Sequence, residues 1–79
     1  MPYGGSKEGR MEISARNQLA GTVVAVQLGE VMAEVTVDVG GQQMVSAITR
    51  SSAERLGLSE GVAVTVIIKS TEVMLATGA

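Results

Sequence analysis

The side chains able to do chemistry fall in three short clusters: Ser14-Ala15-Arg16-Asn17-Gln18, Thr49-Arg50-Ser51-Ser52 and Lys69-Ser70-Thr71. What they share is donation. Arg16 and Lys69 are cations with no acceptor capacity, and the hydroxyls and backbone N–H groups add neutral donors. No Asp or Glu lies within any of the three clusters. A donor-only set suits an oxyanion, which accepts charge-assisted hydrogen bonds and never needs to give one. The second cluster lies where a helix is expected to begin, so orphan N–H groups and a partial positive charge add to it. A tetrahedral dianion would have its two charges matched by Arg16 and Lys69. Burying it unpaired costs on the order of tens of kcal/mol in the Born limit, so both cations are expected to be required.

Each cluster also has a plainer reading. Ser14 and Asn17 can be ordinary turn residues, Ser51 and Ser52 helix caps, and Lys69-Ser70-Thr71 a polar loop. Arg50 and Arg55 read as solvated. The residues by themselves leave the anion unnamed.

Other chemistries are harder to build. There is no His and no Cys among the 79 residues. The usual general base near neutral pH, the thiolate nucleophile and the preferred zinc ligands are all missing. No cation site is expected, nor is enzyme activity: the carboxylates are scattered singly and there is no glycine-rich phosphate loop. The net charge of −2 and a single aromatic, Tyr3, argue against a nucleic-acid binder. No apolar run reaches the roughly 20 residues of a membrane span, and the N-terminus lacks a secretory apolar core. The expectation is a cytoplasmic protein with no nucleic-acid or membrane partner.

The elements that must position the clusters are mostly strands. Val is heavily used, and β-branched residues fit pleated surfaces. Residues 20–28 (AGTVVAVQL) read as a strand. In residues 31–39 (VMAEVTVDV) Val31, Ala33, Val35, Val37 and Val39 alternate with Met32, Glu34, Thr36 and Asp38, a period of two with one buried face. Gly40-Gly41 signals a two-residue hairpin into residues 42–49. Residues 51–57 read as a short helix, with Ser51 as N-cap, Glu54 at capping-box spacing and Gly57 as the C′ residue. Residues 62–68 (VAVTVII) and 72–76 (EVMLA) are the last strands. Five strands with one helix between the third and fourth describe an all-β, small OB-like five-stranded barrel; an SH3-like barrel is the alternative. Residues 1–10 read as a flexible extension, with residues 11–79 as the domain and Met11 as a candidate start. In residues 62–68 both faces are apolar, and a chain this small has little else to cover the second one. A homo-oligomer is expected.

Met11 to Val23, with Ser14-Ala-Arg-Asn-Gln18 at its centre, resembles the opening of the molbindins, the TOBE-like, molybdate-binding Mop domains. Ala47 to Leu58 resembles their helix region, and Ile68 to Ala76 their C-terminal strand. The three stretches come in the same order and together span nearly the whole of residues 11–76. The resemblance implies an OB-like barrel and a homo-oligomer, commonly a hexamer built as a trimer of dimers. Molybdate or tungstate would be held between subunits as bound cargo. It implies Ser14, Arg16, Lys69 and Ser70 as ligand-binding residues, with Thr49 and Ser52 from a neighbouring chain. Ala15 and Asn17 would add backbone or secondary contacts.

Neither a helix-turn-helix nor an ATPase region is present in this sequence. The expected role is therefore storage, buffering or delivery of molybdate within the cell, by reversible coordination, with an isolated domain of a larger protein as the other reading. Binding should change little between pH 6 and 8, where neither His nor Cys is present to titrate. A structural assembly module and a nucleic-acid-binding OB-like domain are the alternatives.

Overall fold

The computed structural model describes residues 13–78. The extension expected over residues 1–10, and the candidate start at Met11, lie outside the described residues. The chain divides into two compact units: residues 19–66, and the flanking segments up to Gln18 and from Ile67 onward.

The element order is β1 (Asn17–Leu28), β2 (Met32–Val39), β3 (Gln42–Thr49), α1 (Arg50–Arg55) and β4 (Ala63–Ile68), followed by a 3₁₀ turn over Ser70–Glu72. The strands form one sheet in the order β3-β2-β1-β4. β1 with β2, and β2 with β3, are antiparallel. The all-β class is as the sequence implies, with a short helix following the third strand. The strand count differs, because residues 73–78 join no strand.

Alternation in β2 sets the core. Val35 and Val37 are buried together with Val23 of β1. Val26, Val39, Ile48, Leu58, Val62, Val64 and Val66 pack around them. The register places Val37 opposite Val23, and Val35 opposite Val26. The shift between these two pairs is a bulge: the register steps from Val23 to Ala25, leaving Val24 as the extra residue. A bulge bends its strand and increases local twist. At this point the Val23 N–H donates to the Val62 carbonyl (2.9 Å), and the Val23 carbonyl accepts from the Gly61 N–H (2.8 Å). β1 can therefore serve β2 on one side and the approach to β4 on the other.

The hairpin between β2 and β3 closes at Gly40-Gly41. Both have positive φ (58° and 89°), which glycine adopts without a Cβ penalty. The helix differs from the sequence reading at its start. Thr49, not Ser51, is the N-cap, its side chain accepting from the Ser52 N–H. The cap therefore lies two residues earlier than expected, and the helix begins at Arg50. Its end is as expected: Gly57, at φ 66°, is the C′ residue. The Gly57 N–H donates to the Glu54 carbonyl and the Leu58 N–H to that of Ala53, the paired bonds of a Schellman ending.

Val62 and, in β4, Val64, Val66 and Ile68 are half-buried, while Ala63, Thr65 and Ile67 face outward and are exposed. The second apolar face of this segment is thus open in the single chain. Among the described residues, no helix is long and apolar enough to cross a membrane.

Candidate oxyanion-binding site

Two of the three donor clusters belong to the same unit, and one hydrogen bond ties them. The Asn17 side-chain amide donates through Nδ2 to the carbonyl of Ile68 at 3.1 Å, across 51 positions of sequence. Ile68 is the last residue of β4, so Lys69 and Ser70 begin immediately beyond the tether. Gln18 braces the other side: its Nε2 donates to the carbonyl of Ala15 at 2.9 Å. Ala15 is itself buried. The Ser14–Gln18 segment is therefore pinned at both of its amides and at its one apolar side chain. Ser14 and Arg16 project from it as exposed residues.

The second segment, Lys69 to Thr71, is fixed by its 3₁₀ turn. Lys69 has extended backbone (φ −70°, ψ 142°) and its carbonyl accepts from the Glu72 N–H at 2.8 Å. The first N–H groups of such a turn have no partner within it, so the amides of Ser70 and Thr71 are candidate donors in the segment that also carries Lys69 and the Ser70 hydroxyl. Lys69 and Ser70 are both exposed. Glu72 lies in the same turn, an acid closer to the donors than the cluster pattern implied.

Thr49 and Ser52 fall in the other unit. Thr49 Oγ1 accepts from the Ser52 N–H at 3.1 Å and donates to Ser52 Oγ at 2.8 Å; Ser51 Oγ is 3.3 Å away. The Thr49 proton is committed to Ser52, so the hydroxyl with a proton to offer outward is that of Ser52. Arg50, expected to be solvated, keeps 43% of its side chain exposed while making two surface contacts. Its Nε is 2.9 Å from Glu54 Oε2, and its Nη1 donates to the Gly29 carbonyl at 3.2 Å. The open recess beside them is lined by Glu30, Val31, Thr49, Arg50, Ser51 and Glu54. With two carboxylates against one paired arginine, it does not suit an anion.

The structure adds Gln18 and the Ile68 carbonyl to the residues singled out in sequence. Both order the segments that carry the candidate donors. Gln18 was visible as the last letter of the Ser-Ala-Arg-Asn-Gln run, but an acceptor carbonyl at the end of a strand carries no sequence signal. Among the described residues, no three His, Cys, Asp or Glu side chains gather as a metal site would require.

Residues 13–75 match the TOBE domain family. Molybdenum-pterin-binding protein 3 of Clostridium pasteurianum is 53% identical over 66 residues, which is 82% of this chain and 97% of that protein. The chain belongs to the TOBE family, among the molybdenum-pterin-binding (Mop) proteins. The Mop fold is shared with solved structures. A molybdate-binding protein from Sporomusa ovata, 40% identical, superposes with a TM-score of 0.81 over 85% of this chain and 100% of its own. ModG, described as a cytoplasmic molybdate-binding protein and crystallised with molybdate bound, is 41% identical. It superposes with a TM-score of 0.73 over 76% of this chain and 43% of its own. These Mop relatives are named for what they bind.

Proposed function

We propose that this Mop chain binds molybdate, or the isosteric tungstate, reversibly and without covalent chemistry. The observation that carries the reading is the Asn17–Ile68 hydrogen bond, which holds the Ser14–Gln18 segment against the end of β4, where Lys69 and Ser70 begin. Arg16 and Lys69 supply the two positive charges. The hydroxyls of Ser14 and Ser70 and nearby backbone N–H groups replace water around the oxygens. Ala15 anchors the segment, since its carbonyl is already taken by Gln18; it offers a ligand only its N–H. Asn17 acts by positioning. Thr49 and Ser52 of a neighbouring copy complete the shell, with Ser52 as the donor and Thr49 as the residue that orients it. Discrimination against sulfate comes from pocket size, because charge and shape are alike.

The assembly in this proposal is a homo-oligomer, a hexamer built as a trimer of dimers, acting in the cytoplasm to store, buffer or deliver the anion. The relatives' names and the molybdate-bound ModG crystal support the ligand. Calorimetric titration of molybdate into the wild type and into Arg16→Ala and Lys69→Ala tests it. A hydrogen bond to a charged group contributes about 1.5–3 kcal/mol, so each variant should bind roughly 10- to 100-fold more weakly while keeping its assembly. Unchanged affinity in both variants would remove Arg16 and Lys69 from the site. The result would then favour a module whose polar clusters only hold subunits together.

A further inference from the structure

We propose that Asn17 and Gln18 are a pair of positioning residues for the anion: each holds the peptide unit that precedes one of the two cations, and so aims the backbone N–H groups of Arg16 and Lys69 at the ligand. This role rests on the oxyanion reading above and deepens it. The two side-chain amides select particular carbonyls. Gln18 Nε2 donates to the carbonyl of Ala15 at 2.9 Å, and Asn17 Nδ2 donates to the carbonyl of Ile68 at 3.1 Å. The residues that follow those two carbonyls are Arg16 and Lys69.

A peptide unit is planar, and in its trans form the C=O of one residue and the N–H of the next point in opposite directions. No cis peptide bond occurs among the described residues. A carbonyl held by a side-chain amide therefore fixes the N–H on the far side of its plane. Gln18 turns the Arg16 N–H away from itself, and Asn17 does the same for the Lys69 N–H. Among the described residues, neither N–H donates to a backbone carbonyl outside the strand ladders. A loose segment has to order these peptides when the anion arrives, which weakens binding; a segment held beforehand does not.

Both residues suit this task chemically. A neutral amide donates without adding charge beside the cations, whereas a carboxylate cannot donate at all. Asn17 reaches across to the end of the neighbouring β4, and Gln18, one methylene longer, reaches back three residues along its own chain. Both braces are partly buried, while Arg16 and Lys69 are exposed. The holding groups are thus sheltered from water, and the residues they hold stay open to it.

Amide NMR of the full chain, without ligand and titrated with molybdate, tests the pairing. Gln18→Met and Asn17→Leu keep side-chain bulk and lose the donor. Without ligand, the carbonyl carbon signal of Ala15 should move in Gln18→Met and that of Ile68 in Asn17→Leu. On titration of the wild type, the Arg16 and Lys69 N–H signals should both shift. Gln18→Met should lose the Arg16 response alone, and Asn17→Leu the Lys69 response alone. Calorimetry should show each variant binding molybdate about 3- to 10-fold more weakly, the equivalent of one neutral hydrogen bond. A merely structural role lowers both responses together in either variant, and that result overturns the assignment. So does unchanged affinity with both responses intact. If a variant does not fold, the wild-type titration decides: molybdate-induced shifts that leave the Arg16 and Lys69 N–H signals in place overturn it. A wild type that takes up no molybdate, beside variants with the paired carbonyl shifts, refutes the ligand and leaves the two peptide braces standing.

Discussion

Arg16 and Lys69 have different surroundings, although both were chosen for their charge. Arg16 is held on a segment pinned by Asn17 and Gln18, whereas Lys69 sits on a turn that also carries Glu72. Thr49 shows how a residue chosen as a ligand donor can have a structural task first. Its hydroxyl accepts from the Ser52 N–H and gives its proton to Ser52 Oγ. Thr49→Ala should therefore lower stability by about 1 kcal/mol, the usual cost of a lost N-cap. Ser51→Ala should have little effect, and urea denaturation of the two variants compares them. A larger loss in Ser51→Ala would restore the cap assignment made from capping-box spacing. That spacing misled because Ser51 and Glu54 do stand three apart, while Thr49 stands three before Ser52 and competes for the same amides. The donor clusters themselves were legible in sequence because Arg and Lys beside Ser need no structure to be recognised. The tether between them was not, since Asn17 to Ile68 is a contact across 51 positions.

At the scale of elements, the sheet rests on close approach of β1 and β2. Gly21 marks the tightest place. A Cβ there would lie 2.6 Å from Val37 Cγ1, 2.9 Å from the Asp38 carbonyl oxygen and 3.1 Å from Val39 Cγ2. The carbonyl belongs to the paired backbone of β2 and cannot swing away as a side-chain tip can. Gly21→Ala should thus destabilise by about 1–3 kcal/mol, as overpacking does, despite the better strand propensity of alanine. Thermal or urea unfolding measures it, and a neutral result would mean that the strands separate at no cost. Strands β2, β3 and β4 were legible from alternation and glycine turns within a residue or so. β1 was not fully so: it begins at Asn17 rather than Ala20, because Asn and Gln carry no strand signal. The Val23/Ala25 bulge was also hidden, since Val24 looks like any other valine in an apolar run.

The whole molecule has a small core and much apolar surface. Val23, Val35 and Val37 form the buried cluster, while Leu28, Val31, Val45, Leu56, Met74 and Leu75 are all exposed in the single chain. A domain of this size buries too little of its surface to be comfortably stable alone. The sequence showed this in the doubly apolar β4, and the structure shows it again in the unpaired tail. The fifth strand read from the pattern of residues 72–76 is absent: Glu72 ends the 3₁₀ turn and residues 73–78 join no strand, since five apolar-rich residues carry a strand pattern without a neighbour to pair with. The family resemblance named a ligand that the donors alone could not, and the relatives' names now stand behind it. The most direct test is a crystal of the full chain grown with molybdate and measured at the molybdenum absorption edge. The anomalous peak should lie within hydrogen-bond reach of Ser14, Arg16, Lys69 and Ser70, at a boundary between copies. A peak bounded by other residues, or none at saturating molybdate, would contradict the assignment.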